Sequence, residues 1–192
     1  MILELFSYFA KYPVKDGVLS MFANGSSPHH QYDALKQQLS TLPDESLIPD
    51  IQHFVFGQSF DSVKARINKL SGTYLFVDFG EFTSSRDNRN TIQDTQKLAA
   101  TVAMKLSDTA DLVEEAIASE ITLNLINILR AHLLLDSEQG SVSWLNRSAI
   151  NQHDIVPFVA KELSSLGWTI MFNTDASDLF NLKQLISSFS HS

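Results

Sequence analysis

The chain contains no cysteine. That excludes a disulfide framework, a thiolate nucleophile and a sulfur-ligated zinc site, and it fits a reducing cytoplasm. Positive charge is scarce: 14 Lys and Arg stand against 22 Asp and Glu, for a formal net charge of −8. No run of basic residues is available to neutralise phosphates, so nucleic acid is not an expected partner. The acidity reads as a solubility device. Long apolar runs are missing too. The most apolar stretch, "ITLNLINILRAHLLL", carries Arg130 and His132 and falls short of the ~18 residues of a membrane span. The apolar start "MILELFSYFAKY" includes Glu4 and has neither a basic leader nor a small-residue cleavage site, so it does not read as a signal peptide.

Familiar chemical motifs are absent as well. The six histidines, among them adjacent His29 and His30, form neither His-x-x-x-His nor His-Glu-x-x-His, so no metal site is expected. "NGSS" lacks the Gly-Lys-Ser/Thr of a phosphate loop, and there is no Gly-x-Ser-x-Gly elbow. No cofactor is implied.

What is present is a core. Of 192 residues, 44% are hydrophobic and 13 are Phe, and a chain this long buries roughly 70% of its unfolded surface. The first 48 residues read as helical: "LELFSYFAKY" halted by Pro13, "VKDGVLSMFANG" with Gly25 as its C-terminal cap, and a third helix capped by Ser27 with Pro28 in its first turn. A turn-rich connector between Pro43 and Pro49 leads into residues 49–192, read as a mixed α/β unit; one domain over 1–192 is the other reading. There "IQHFVFG" is a strand. Ser59 caps "FDSVKARINKL", a helix closed by Gly72, and "TYLFVDFGEF" is a strand apolar on both faces. "TSSRDNRNTIQD" reads as an exposed polar loop. "KLAATVAMKLS" alternates, with Leu98, Ala100, Val102, Met104 and Leu106 on one face and Lys97, Thr101 and Lys105 on the other, as a half-buried strand antiparallel to the one before. Ser107 or Asp108 caps a long core helix over about residues 109–135, with Ile117, Ile121, Leu125, Ile128 and Leu129 on one of its apolar faces. "DSEQGSV" is a loop and "VSWLNRSAI" a candidate strand. "VPFVAKELSSLG" fits a helix, or part of a strand running to residue 173. "WTIMFNT" is a strand, and "DASDLFNLKQLISSF" a final helix. The expected fold is α/β or α+β: a mixed sheet of four to five strands with packed helices and a helical N-terminal extension.

Two features invite a functional reading. Asp78 lies near the end of a buried strand, where polar groups often serve function, and Glu81 follows three residues on. In a continuous strand the two side chains point to opposite faces, and they converge only across a bulge near Gly80. An enzyme built on them needs a His or Lys beside them. Otherwise Asp78 marks where the strand leaves the core, the reading favoured here. The second feature is the polar 83–94 segment with Arg86, Asp87, Arg89 and Asn90, whose mixed charges suit a protein surface better than a phosphate backbone.

Several phrases also resemble the small proteins that complete phage and phage-like tails, the tail terminator and head–tail joining family. "GTYLFVDFGEFTS" is similar to a strand opening into a long loop, and "QKLAATVAMKLSDTAD" to the next strand running into a long helix. "LINILRAHLLLDSEQGSVSWLNRSAINQHD" resembles that family's helix, loop and Leu-x-Arg strand, and "WTIMFNTD" its last strand. The likeness spans about residues 51–173; the N-terminal helices and the final helix depart from it. It implies a non-enzymatic, self-assembling structural protein, a phage or prophage tail-completion component. Its subunits form rings through loops and sheet edges, with residues 83–94 at the contact, itself and other proteins as partners, and a cytoplasmic or virion location. The alternatives are a carboxylate-based enzyme at Asp78 and Glu81 and a protein-binding domain using the 83–94 loop.

Overall fold

A computed structural model describes residues 2–22, 27–86, 92–145 and 150–175. The elements in chain order are α1 (Ile2–Phe9), α2 (Lys15–Leu19), α3 (His30–Ser40), β1 (His53–Gly57), α4 (Phe60–Ile67), β2 (Thr73–Arg86), β3 (Ile92–Lys105), α5 (Leu112–Gln139), β4 (His153–Ala160), a 3-10 turn (Lys161–Leu163) and β5 (Ser165–Asp175). The strands form one mixed sheet in the order β1-β2-β3-β5-β4, with β1 parallel to β2 and every other pair antiparallel. This is the expected α+β architecture.

The sheet is buried on both faces. Leu75, Val77, Leu98, Val102, Ile170 and Phe172 face α1 and α5 in one apolar cluster. Val55, Tyr74, Phe76 and Ala103 face α4, whose Val63 and Ile67 pack on them with Leu163. The first cluster also holds Leu5, Phe6, Phe9 and Tyr12, so α1 shares a core with the sheet. Phe6 packs edge-on against Phe54 and Phe56 at 5.1 and 5.0 Å between ring centroids. Each such buried side chain stabilises the fold by roughly 1.5–3 kcal/mol.

Several local readings shift. Thr101, on the polar side of a half-buried β3, is buried, as is Ala103 on the same face, because β3 lies mid-sheet with helices over one face and α4 over the other; the Thr101 and Thr169 hydroxyls pair at 2.8 Å. The polar 83–94 segment is not a loop where it is described. β2 continues to Arg86, and β3 begins at Ile92 with Thr83 opposite Thr95 and Ser84 opposite Asp94. These strands extend past the layered core, so pairing comes from the backbone and leaves no apolar alternation to read. The 155–166 segment is strand β4 and the 3-10 turn rather than a helix. Pro157 is tolerated because β4 is an edge strand, where one row of N–H groups has no partner to lose. "VSWL" is a turn rather than a strand: Leu145 N–H donates to Val142 C=O at 3.2 Å, and Trp144 packs on Tyr8 with 5.0 Å between centroids.

Helix boundaries move as well. α3 starts at His30, two residues later than expected; Ser27 Oγ instead accepts from His29 N–H at 3.3 Å. Gly25 and the segment expected to form a final helix, from residue 176 on, lie outside the described residues. Ser59 does cap α4. α5 is capped by Asp111 rather than by Ser107 or Asp108. Asp111 Oδ1 accepts from Val113 and Glu114 N–H at 2.9 Å each, and Glu114 reaches back to Asp111 N–H, a reciprocal box. The helix runs through Gln139 and ends at Gly140 in the left-handed region, φ 61°. Its inward face is Ala118, Thr122, Leu125, Ile126, Leu129 and Leu133, while Ile117, Ile121 and Ile128 are exposed. Trp168 Nε1 donates to Ser119 C=O at 3.0 Å and locks α5 to β5. No helix among the described residues is long and apolar enough to cross a membrane.

Candidate functional site

β1 and β2 run parallel through α4, and β1 ends with Gly57 opposite Asp78. Crevices outside the carboxyl ends of such strands are where open sheets hold ligands. The register of β2 on β3 breaks at this level: Asp78 faces Ala99, and the next paired residue, Glu81, faces Lys97. Three steps along β2 match two along β3, so one extra residue is accommodated in a bulge. The side chain of Glu81 is thereby turned to the face that Asp78 shares with Lys97 and Ala99. The condition that the sequence set for convergence of Asp78 and Glu81 is present, and Lys97 stands across from Glu81.

The result is an open recess of about 420 Å³ lined by Gln58, Asp78, Gly80, Glu81, Lys97, Ala99 and Met171. Asp78 Oδ1 accepts from Gly80 N–H at 2.9 Å. Gly80 has no room for a side chain, since a Cβ would lie 2.7 Å from Gln58 C=O and 2.8 Å from Asp78 Oδ1. Burial raises the proton affinity of the Asp78 carboxyl above the ordinary carboxylate value, and the Gly80 N–H offsets part of that rise. Such a carboxyl exchanges a proton or accepts a hydrogen bond, with the Lys97 ammonium and the Gln58 carboxamide as further polar groups on the wall. Among the described residues no group of three His, Asp or Glu side chains is placed to hold a metal ion.

Sequence reasoning missed Lys97 and Gln58. Lys97 showed only as a polar position on β3, and cross-strand register carries no local signal. Of the residues expected at an interface, Arg86 is the last residue of β2, opposite Ile92; Asp87, Arg89 and Asn90 lie outside the described residues.

Beyond Asp78 the β2–β3 pair continues as a ribbon. β1 has ended, so the outer side of Glu81–Arg86 has no strand beside it among the described residues, and residues 81–85 are exposed. Among the described residues, β5 joins the inner side of β3 as far as Thr95 opposite Asp175. Ser84 Oγ donates to Asp94 Oδ1 across the ribbon, and Gln96, fully buried at its base, donates from Nε2 to Phe79 C=O at 2.8 Å. No family model matches the chain, and neither a curated protein nor a solved structure shows a significant match.

Proposed function

We propose that the chain is a non-enzymatic structural or interaction protein that assembles with itself, in the form of a phage or prophage tail-completion component. The observation that supports this reading is the ribbon. Among the described residues, no further strand lies beside β2 at Glu81–Arg86, outside the layered core. An edge of this kind is a template for pairing with another chain, and it adds little to the burial that holds the core together. It is also the segment where the family likeness puts subunit contacts. The test is the native mass by light scattering coupled to gel filtration. A particle several times the 21.5 kDa chain supports assembly; a monomer throughout the micromolar range overturns it.

A second reading, a carboxylate-based enzyme, is favoured by the one observation that Asp78, Glu81 and Lys97 line a common recess. Turnover of chromogenic ester, phosphate or glycoside substrates, abolished in a folded Asp78→Asn variant, supports it. Equal rates in the variant and the wild type overturn it.

A further inference from the structure

α5 is apolar on two sides. Its inner face packs on the sheet. On its outer side Ile117, Ile121, Asn124, Ile128, Ala131 and Leu135 follow one another at steps of four and three residues. That alternation keeps side chains on one seam of a helix, as in a coiled coil. The four large members are 53%, 40%, 43% and 52% exposed, and Asn124 and Ala131 are exposed too. Single exposed apolar residues need no explanation, but a continuous seam along the longest helix does. Helices apolar on all sides are normally covered on all sides. Beside the seam lies an open recess of about 490 Å³, bordered by Gln52, Gly72, Thr73 and Met104.

We propose that this seam pairs with the same seam of a second copy, the two α5 helices antiparallel about a two-fold axis near residue 126. The inference rests on the self-assembly reading above and names an interface for it. In that register Ile117 meets the partner's Leu135, Ile121 meets the partner's Ala131, and Asn124 meets the partner's Ile128. Large residues face small ones in the second layer, as close packing requires. The opposed helix dipoles attract.

Asn124 argues for a copy of this chain over an unrelated apolar helix. The two Asn124 residues flank the two-fold axis, about 6 Å apart along the helix direction from the helical rise. A carboxamide is donor and acceptor at once, so the pair satisfies itself. The seam is about 28 Å long and covers roughly 300 Å² per copy, against roughly 800 Å² per partner in stable complexes. The pair therefore dissociates on dilution through the micromolar range.

The absence of native cysteine makes a clean test, because single-Cys variants of the full chain report only the introduced thiols. Mild oxidation of an equimolar mixture of Ile117→Cys and Leu135→Cys is expected to give the mixed disulfide dimer. Ile117→Cys alone is expected to give little, since its two copies lie about 27 Å apart along the helix direction. Self-linking of Ile117→Cys as efficient as the mixture overturns the antiparallel arrangement. In parallel, the double variant Ile121→Lys/Ile128→Lys, at exposed positions and checked for unchanged circular dichroism, is expected to lose the two-copy mass. If it keeps the wild-type mass, the α5 interface is wrong and self-assembly stands on other surfaces. If the wild type is itself monomeric at about 100 μM, both readings fall.

Discussion

The Tyr8 hydroxyl donates to Asp136 Oδ2 at 2.6 Å, joining residues 128 positions apart in the chain. Lys11 Nζ donates to the same oxygen at 2.8 Å and sits 3.8 Å over the Tyr8 ring. The Tyr12 hydroxyl donates in turn to that of Tyr8 at 3.0 Å. This cluster fastens α1 to the last turns of α5. Burial pushes both tyrosines well above their ordinary range. Burial also acts to raise Asp136, but the hydrogen bonds from Lys11 and Tyr8, with the Lys11 and His132 charges, outweigh it and hold the carboxyl below its usual value.

Asp136→Asn is therefore expected to lower stability by about 1.5–3 kcal/mol at pH 7, the range for hydrogen bonds to charged groups. A depressed carboxyl contributes stability above its unfolded value of about 3.9, and the contribution is lost as pH falls through the folded value. Urea melts at pH 7 and near pH 3 check this. Equal wild-type and variant stability at pH 7 would refute it.

Asp78 works in the opposite sense. Its folded proton affinity is raised, so the folded state binds the proton more tightly and stability falls as pH rises past the ordinary carboxylate value. Asp78→Asn keeps an oxygen to accept from Gly80 N–H. The variant is expected to match the wild type at pH 7 or exceed it by up to roughly 0.5 kcal/mol, after allowing for solvent screening of a partly exposed group. No gain is expected near pH 3. A loss above about 1 kcal/mol at pH 7 would mean that the charge at Asp78 is itself stabilising.

Asp111→Ala removes the acceptor for two N–H groups at the start of α5 and is expected to cost about 1 kcal/mol in chemical denaturation. Ser107→Ala should cost less, since among the described residues the Ser107 hydroxyl pairs with the neighbouring Thr109. The reverse ranking would return the cap to the earlier position.

Legibility varied with the range of the contacts involved. Ser59 was readable as a cap because the interaction closes within three residues. The cap of α5 was misplaced because Ser107, Asp108 and Asp111 are all competent residue types, and Asp108 Oδ1 is taken by the Ser164 hydroxyl from 56 positions away. In the 155–166 segment the spacing of Val156, Val159, Leu163 and Leu166 suits a helix, yet pairing of β4 with β5 prevails, with Ile155 opposite Ile170 and Val159 opposite Leu166. Tertiary pairing overrides a short periodic signal.

By itself the sequence determined the mixed α+β class, most of the strands and the existence of the long helix, because alternation and helical periodicity are properties of neighbouring residues. The condition for Asp78 and Glu81 to meet was also readable, since it follows from the pleat of a single strand. Whether they meet was decided by the register of β2 on β3, which sets Glu81 against Lys97. Which side of α5 lies inward, and whether polar residues 83–86 and 92–94 form strand or loop, were likewise tertiary outcomes. A residue pattern specifies a period and a face, whereas the neighbour that covers that face comes from distant chain, and its choice depends on the packing of the whole sheet.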